Sequence, residues 1–161
     1  MDLREMSTPA LAYLGDCVIE LCVREYLVES GLSTSRNLNR EALNFVRATA
    51  QAEAMKKLFP ILTEEEEAFF RRGRNIGHTN VPKNATVSDY RTATGMEVLF
   101  GYLHVSGQKE RIDELFRAAY LDSADARKES ENCTSRERNP RSHQCNRRRR
   151  KFCGTFCVQL F

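Results

Sequence analysis

The 161-residue sequence contains no tryptophan, and no uninterrupted apolar run in it approaches the roughly 20 residues that a membrane-spanning helix needs. Its first residues, Met1 to Glu5, lack the basic and apolar segments of a secretory signal. No segment shows the alternating Val, Ile and Thr pattern that is typical of β-strands. These absences argue against a membrane protein, a secreted protein and a β-sheet. They predict a cytoplasmic protein of the all-α class.

Positive charge is unevenly distributed along the chain, although the formal net charge is only +3. Residues 121–161 contain ten Lys and Arg and five Asp and Glu, whereas residues 1–120 contain fifteen and seventeen. The larger part is therefore not basic overall, so any nucleic-acid surface in it must be local. The local excess of positive charge lies between Arg71 and Arg91, where five Lys and Arg accompany one acidic residue.

The composition of the chain changes near residue 120. Residues 1–120 carry helical periodicity and are predicted to form one domain. Residues 121–161 are polar and basic and are predicted to be disordered. Four of the six cysteines lie in this tail without the paired spacing of most structural zinc sites. Free thiols are therefore favoured over zinc ligands, and disulfides are not expected in the cytoplasm.

The first predicted helix runs from about Thr8 to Ser30, with Thr8 as its cap, and is apolar on two sides. One side comprises Leu11, Leu14, Val18, Leu21 and Cys22, and the other comprises Ala12, Ile19 and Val23. Such a helix is typical of a bundle centre or an oligomer interface. Asp16 lies among the residues of the second side, and Gly15 beside it indicates that another element approaches the backbone closely.

The rest of the predicted domain also reads as helices, six or seven in all. One or two span Asn37 to Leu58, and another begins at a capping box formed by Thr63 and Glu66. A basic loop is predicted from Arg71, before a helix that Ser88 caps. The apolar face of the last helix comprises Ile112, Leu115, Phe116 and Ala119.

Asp16 and Glu97 are the candidate metal ligands and catalytic residues. Glu97 has small or apolar neighbours at helical spacing, and a carboxylate in such surroundings needs a cation or a hydrogen-bond donor. Carboxylate oxygens are hard ligands that suit Mg²⁺, which activates water in phosphodiester hydrolysis. His78 and His104 offer a competing acid–base pair, but the sequence shows no acid that would orient either of them.

The candidate RNA-binding residues combine cations, amides and one aromatic ring. They are Arg71, Arg72, Arg74, Asn75, Lys83, Asn84, Tyr90 and Arg91. Arginine and lysine bind phosphate, and a tyrosine ring can stack on a base. For Tyr90 and Arg91 the alternative of a packing residue and a surface ion pair is equally compatible with the sequence.

Two separated motifs resemble a known family. Residues 13–20, YLGDCVIE, resemble the LGDAV signature of the ribonuclease III endonuclease domain. Residues 72–75, 82–84 and 89–103 resemble Mini-ribonuclease III, the bacterial branch without an appended double-stranded-RNA-binding domain. The resemblance covers about residues 5–120. Compared with the wider family, Ala12 and Thr94 replace two acidic residues, which leaves fewer protein ligands for metal.

This resemblance implies an all-α homodimer that cleaves double-stranded RNA with Mg²⁺, for which Mn²⁺ can substitute. The implied products carry 5′-phosphate and 3′-hydroxyl ends, and the implied substrate is the precursor of large-subunit (23S) ribosomal RNA. By motif position, Asp16 and Glu97 match the metal-binding acids of the family. The alternative function is a non-catalytic dimeric RNA-binding or ribosome-assembly module on the same fold.

Overall fold

The computed structural model describes residues 5–76 and 86–121, which form helices joined by short turns. The helices are α1 (Thr8–Glu29), α2 (Ser35–Val46), α3 (Ala48–Leu58), α4 (Glu64–Arg74), α5 (Val87–Val105) and α6 (Lys109–Tyr120), with a 3₁₀ turn at Phe59–Ile61. These two ranges contain no strand, so the predicted all-α fold is confirmed. None of their helices is long and apolar enough to cross a membrane. The tail was predicted to comprise residues 121–161, and because residues 122–161 lie outside the described residues, its disorder stays a prediction.

Helix α5 is the centre of the bundle and packs against α1, α3, α4 and α6. Its apolar and small residues are distributed around the whole helix axis, which is the pattern of a helix buried on all sides. Every residue from Ala93 to Leu103 is buried except Glu97, which is half-buried. The central helix therefore presents one carboxylate at the edge of an otherwise apolar core.

Helix α1 begins at Thr8, as predicted, but its cap is Ser7, whose hydroxyl accepts a backbone N–H of the first turn. The helix ends two residues before Gly31, whose φ of 89° lies in the left-handed region that favours glycine. The side chains that α1 buries are Leu11, Val18, Ile19, Val23 and Leu27. Leu21, which belongs to the first predicted apolar side, is 55% exposed and therefore lies outside the core.

The segment predicted as one or two helices forms two, α2 and α3. They are separated at Arg47, whose backbone is extended (φ −67°, ψ 142°). No residue of α2 is fully buried, and its apolar face lies at the edge of the core. There the Phe45 ring contacts Tyr26 and Tyr120, with centroid separations of 5.8 and 5.4 Å.

Helix α4 begins at the predicted capping box and ends later than predicted. The Glu66 carboxylate accepts the backbone N–H of Thr63 at 2.8 Å, and it also accepts two hydrogen bonds from Arg111 on α6. The helix continues through Arg74, so residues 71–74 are helical and the prediction of a loop beginning at Arg71 was wrong. The extension is favoured because Gly73, which weakens an isolated helix, packs directly on α5.

Ser88 was predicted as the cap of α5, but the structure shows that the cap is Thr86. The Thr86 hydroxyl accepts the backbone N–H of Asp89 at 3.1 Å, and Ser88 lies inside the first turn. The cap therefore lies two residues earlier in the sequence than predicted. The predicted apolar face of α6, Ile112, Leu115, Phe116 and Ala119, is buried and is confirmed.

Candidate active site

Two glycines bring the backbones of α1 and α5 into direct contact. A Cβ atom at Gly15 would lie 1.7 Å from the carbonyl oxygen of Glu97, and one at Gly101 would lie 2.1 Å from the carbonyl oxygen of Leu11. The predicted close approach at Gly15 is therefore confirmed, and the approaching element is α5. Because Asp16 follows Gly15, this crossing places Asp16 next to Glu97.

Asp16 lies on the exposed side of α1, and this position differs from the predicted one among apolar neighbours. Partial burial of the carboxyl group, and secondarily the negative charge of Glu20 one turn away, raise the pKa of Asp16. Glu20 itself forms an ion pair with Arg24 at 2.7 Å. The Asp16 side chain is thus accessible from solvent while its negative charge is disfavoured.

Glu97 is half-buried and belongs to α5 at the point where the two helix backbones cross. Burial, and secondarily the negative charge of Asp16, raise the pKa of Glu97 to about 7. An effect of the Asp16 charge on Glu97 is expected, because Asp16 follows Gly15 where α1 crosses α5 at Glu97. Like charges brought together at a partly buried place are stabilised when a cation binds between them.

Among the described residues, Asp16 and Glu97 have no basic side chain as an ion-pair partner. No ion pair within the described ranges includes either residue. In the same ranges, no group of three or more His, Cys, Asp and Glu side chains could surround a metal ion. Two carboxylates with room for water and phosphate oxygens are the protein ligand set that Mg²⁺ typically uses. The residues present therefore fit Mg²⁺.

The three arginines of α4 occupy different environments. Arg71 forms an exposed ion pair with Glu67 at 2.5 Å. Arg72 is half-buried, because its guanidinium donates to the Thr8 hydroxyl at 2.7 Å and to the carbonyl oxygen of Met6. Arg74 is exposed, and its side chain forms no hydrogen bond or ion pair among the described residues. Of the three, Arg74 is therefore the most available to a phosphate, and Arg72 is the least available.

The other predicted RNA-binding residues are only partly described. Asn75 forms the C-terminal cap of α4, where its backbone N–H donates to the carbonyl oxygen of Arg71. Tyr90 is half-buried and Arg91 is exposed, both near the start of α5. Lys83 and Asn84 lie outside the described residues. The assignment of the whole set to RNA binding stays a prediction.

Two features of the site were missed in the sequence. Gly101 was not identified as the partner of Gly15, although both are glycines inside long apolar helices, which is a signal for close backbone contact. Glu20 was not identified as a neighbour of Asp16, although the four-residue spacing on a helix places the two on one face. His104, by contrast, is exposed at the end of α5, and His78 lies outside the described residues.

The chain is similar in sequence to proteins of a known family. Residues 9–108 match the Ribonuclease III domain. The chain is 46% identical over 116 residues to Mini-ribonuclease 3 of Enterococcus faecalis, covering 71% of this chain and 88% of that protein. It is 48% identical over 109 residues to Mini-ribonuclease 3 of Symbiobacterium thermophilum, covering 68% of this chain and 84% of that protein.

A solved structure shows the same arrangement of helices. The crystal structure of protein FN1578 from Fusobacterium nucleatum superposes with a TM-score of 0.65 at 31% sequence identity. The match covers 72% of this chain and 93% of that chain. The helical bundle described above is therefore shared over nearly the full length of that protein.

Proposed function

Because the chain belongs to the ribonuclease III family and is an endoribonuclease, we propose that it cleaves double-stranded RNA with Mg²⁺ held by Asp16 and Glu97. The observation that supports this most directly is the pair of neighbouring acidic residues, Asp16 and Glu97, which form no ion pair with a basic side chain of the described residues. A non-catalytic RNA-binding module has no need for two carboxylates that repel each other. The finer proposal is that the substrate is the precursor of 23S ribosomal RNA.

The chain's own residues have separable roles in this proposal. Asp16 and Glu97 must both lose their protons to hold the cation. Because the pKa of Glu97 is raised to about 7, cation binding is expected to release a proton from Glu97 near neutral pH. The bound ion would supply a Lewis acid that activates water and neutralises charge on the scissile phosphate. Arg74 and Arg91, both exposed, would bind flanking phosphates and hold the duplex in register.

The test of this function is incubation of the purified protein with long double-stranded RNA, with Mg²⁺ or with EDTA. We expect short products only with Mg²⁺, and end-group analysis should find 5′-phosphate and 3′-hydroxyl termini. A 23S precursor transcript should be cut near the mature ends, and mature 23S RNA serves as the matched control. Cleavage that continues in EDTA would exclude the proposed metal dependence.

We also propose that the protein is a homodimer that contacts its copy through the exposed side of α1. Three large apolar residues lie on that side. At 3.6 residues per turn, their positions fall within about 80° of each other around the helix axis. They are Tyr13, Leu21 and Val28, exposed by 81%, 55% and 61%. Cys17 lies exposed between the first two. An apolar ridge on the helix that carries Asp16 suits an interface in which two active sites face one duplex.

Sedimentation at micromolar concentration is expected to give about twice the 18.5 kDa chain mass. Leu21→Asp should shift the protein toward the monomer, because it places a charge in the proposed interface. The matched control is Leu43→Asp, which changes a similarly exposed leucine on α2. A monomeric wild-type protein that still cuts both strands would contradict the dimer.

The basic residues around α4 and α5 provide a second solution test. Arg74→Ala and Arg91→Ala should each weaken RNA binding and reduce the slope of log K against log salt by up to about one unit, because each loses one phosphate contact. Arg72→Ala should lower the melting temperature with a smaller effect on the slope, because Arg72 already binds Met6 and Thr8.

Binding titrations at several salt concentrations measure these slopes. Arg117→Ala, which removes an exposed cation from α6, is the control and should leave the slope unchanged. Unchanged slopes for both Arg74→Ala and Arg91→Ala would remove these residues from the RNA-binding surface. The assignment would then pass to the cations outside the described ranges.

A further inference from the structure

The crossing of α1 and α5 is a contact between main chains, with no side chain in between. A Cβ atom at Gly15 would meet the carbonyl oxygen of Glu97 at 1.7 Å and the backbone nitrogen of Gly101 at 2.7 Å. A Cβ atom at Gly101 would meet the carbonyl oxygen of Leu11 at 2.1 Å and the backbone nitrogen of Gly15 at 3.2 Å. Because these atoms belong to helix backbones, no rotamer change can make room for a larger residue.

The contact of α5 with α4 is also built on glycines, but away from the two carboxylates. A Cβ atom at Gly73 would lie 2.7 Å from the Val98 side chain, and one at Gly95 would lie 2.6 Å from the Phe70 ring. The nearest atoms there are side-chain atoms, which can give way more easily than backbone. The backbone atoms in reach are the carbonyl oxygens of Thr94, at 2.8 Å from a Cβ atom at Gly73, and of Phe70, at 2.9 Å from one at Gly95, so a backbone shift of only 0.1–0.2 Å would clear the 3.0 Å limit. The two sides of α5 therefore offer similar glycine contacts with different consequences for the metal ligands.

From this contrast we infer that Gly15 and Gly101 are positioning residues that set the separation of the Asp16 and Glu97 carboxylates. The inference rests on the proposed function, because it concerns the affinity of that site for its cation. Gly15 directly precedes Asp16, and the atom that it would strike belongs to Glu97 itself. Any change that separates the backbones at this point therefore separates the two ligand residues as well.

Whether Asp16 and Glu97 can still bind a cation depends on how far the α1 and α5 backbones are moved apart. Real Cβ atoms essentially never approach other heavy atoms within 3.0 Å, so an alanine at Gly15 must move the backbones apart by about 1.3 Å from the 1.7 Å contact. Metal–ligand distances tolerate changes of only about 0.2 Å. Mg²⁺ is especially restrictive, because it requires nearly ideal octahedral geometry at about 2.0–2.1 Å. Gly15→Ala should therefore impair cation binding before RNA is involved.

The experiment measures Mn²⁺ binding to the full chain without RNA, by the loss of the free-ion electron paramagnetic resonance signal. Circular dichroism and thermal melting establish which variants are folded. We expect Gly15→Ala and Gly101→Ala to lower Mn²⁺ affinity at least tenfold. Gly73→Ala and Gly95→Ala are the matched controls, which should lower the melting temperature while keeping the wild-type Mn²⁺ affinity.

A second variant tests the same idea without changing a glycine. Glu97→Asp shortens one ligand by a methylene, and if the crossing fixes the backbones they cannot move closer to compensate. Mn²⁺ affinity should then fall at least tenfold in a fully folded protein. Near-wild-type affinity of Glu97→Asp, or of a folded Gly15→Ala variant, would overturn the inference and leave the proposed function intact. A wild-type chain that binds no Mn²⁺ would overturn both.

Discussion

Glu97→Gln and Asp16→Asn are each expected to lower the rate of double-stranded RNA cleavage by at least about a thousandfold at saturating Mg²⁺. Each substitution removes one of the two charged ligands, and a catalytic metal contributes several kcal/mol of charge stabilisation in the transition state. About 1.4 kcal/mol corresponds to a factor of ten in rate. The amide side chains have nearly the same shape as the carboxyl groups, so the fold should be retained.

Binding and cleavage should separate in these variants. RNA affinity measured in Ca²⁺ is expected to stay near the wild-type value, because the cations that contact phosphate are unchanged. Glu25→Gln, which neutralises an exposed acid on the same helix as Asp16, is the control and should cleave at the wild-type rate. Wild-type turnover in either ligand variant would show that the substituted residue does not hold the catalytic metal.

In metal-free solution, Glu97→Gln is also expected to stabilise the fold in a pH-dependent manner. The pKa of Glu97 is raised from 4.5 to about 7 by burial and by Asp16, so the folded chain keeps this proton to a higher pH than the unfolded chain. Ionisation of Glu97 therefore lowers the free energy of unfolding as the pH rises from about 4.5 through 7. Glutamine does not ionise, so the variant avoids this loss.

The stability difference between variant and wild type should be small near pH 4 and largest above pH 7. At about 1.4 kcal/mol per pKa unit, its upper limit is about 3 kcal/mol, and solvent access to the half-buried group reduces it. Urea unfolding in EDTA at several pH values measures the difference, with Glu25→Gln as the control. Added Mg²⁺ should stabilise the wild type more than the variant. A difference that does not change with pH would show that Glu97 is not a disfavoured carboxylate.

The helices could be predicted from the sequence because their information is local. Apolar spacing and caps such as the Thr63 and Glu66 pair lie within a few residues of each other and define one helix at a time. The ends were less predictable, because α4 continues to Arg74 only where Gly73 can pack on another helix. The predicted loop at this position was wrong for that reason.

The candidate site was predictable in its residues but not in its environment. The motif positions identified Asp16 and Glu97, and the structure brings them together. The sequence could not show that Arg72 contacts Met6 and Thr8, more than 60 residues earlier in the chain. Nor could it show that Gly101 faces Gly15, because such pairs depend on how two helices cross. Contacts of this kind are properties of the packed structure and leave no local pattern.

The hydrogen bonds of Arg72 have a practical consequence for work with the purified protein. They attach the chain at Met6 and Thr8 to the last turn of α4, the helix that also carries the exposed cations Arg71 and Arg74. An affinity tag added before Met1 is therefore joined to the chain only a few residues before this contact with α4, whose exposed cations include Arg74, which we propose for phosphate binding. An acidic tag would compete with RNA for those cations by simple charge attraction. RNA affinities measured before and after removal of such a tag are accordingly expected to differ.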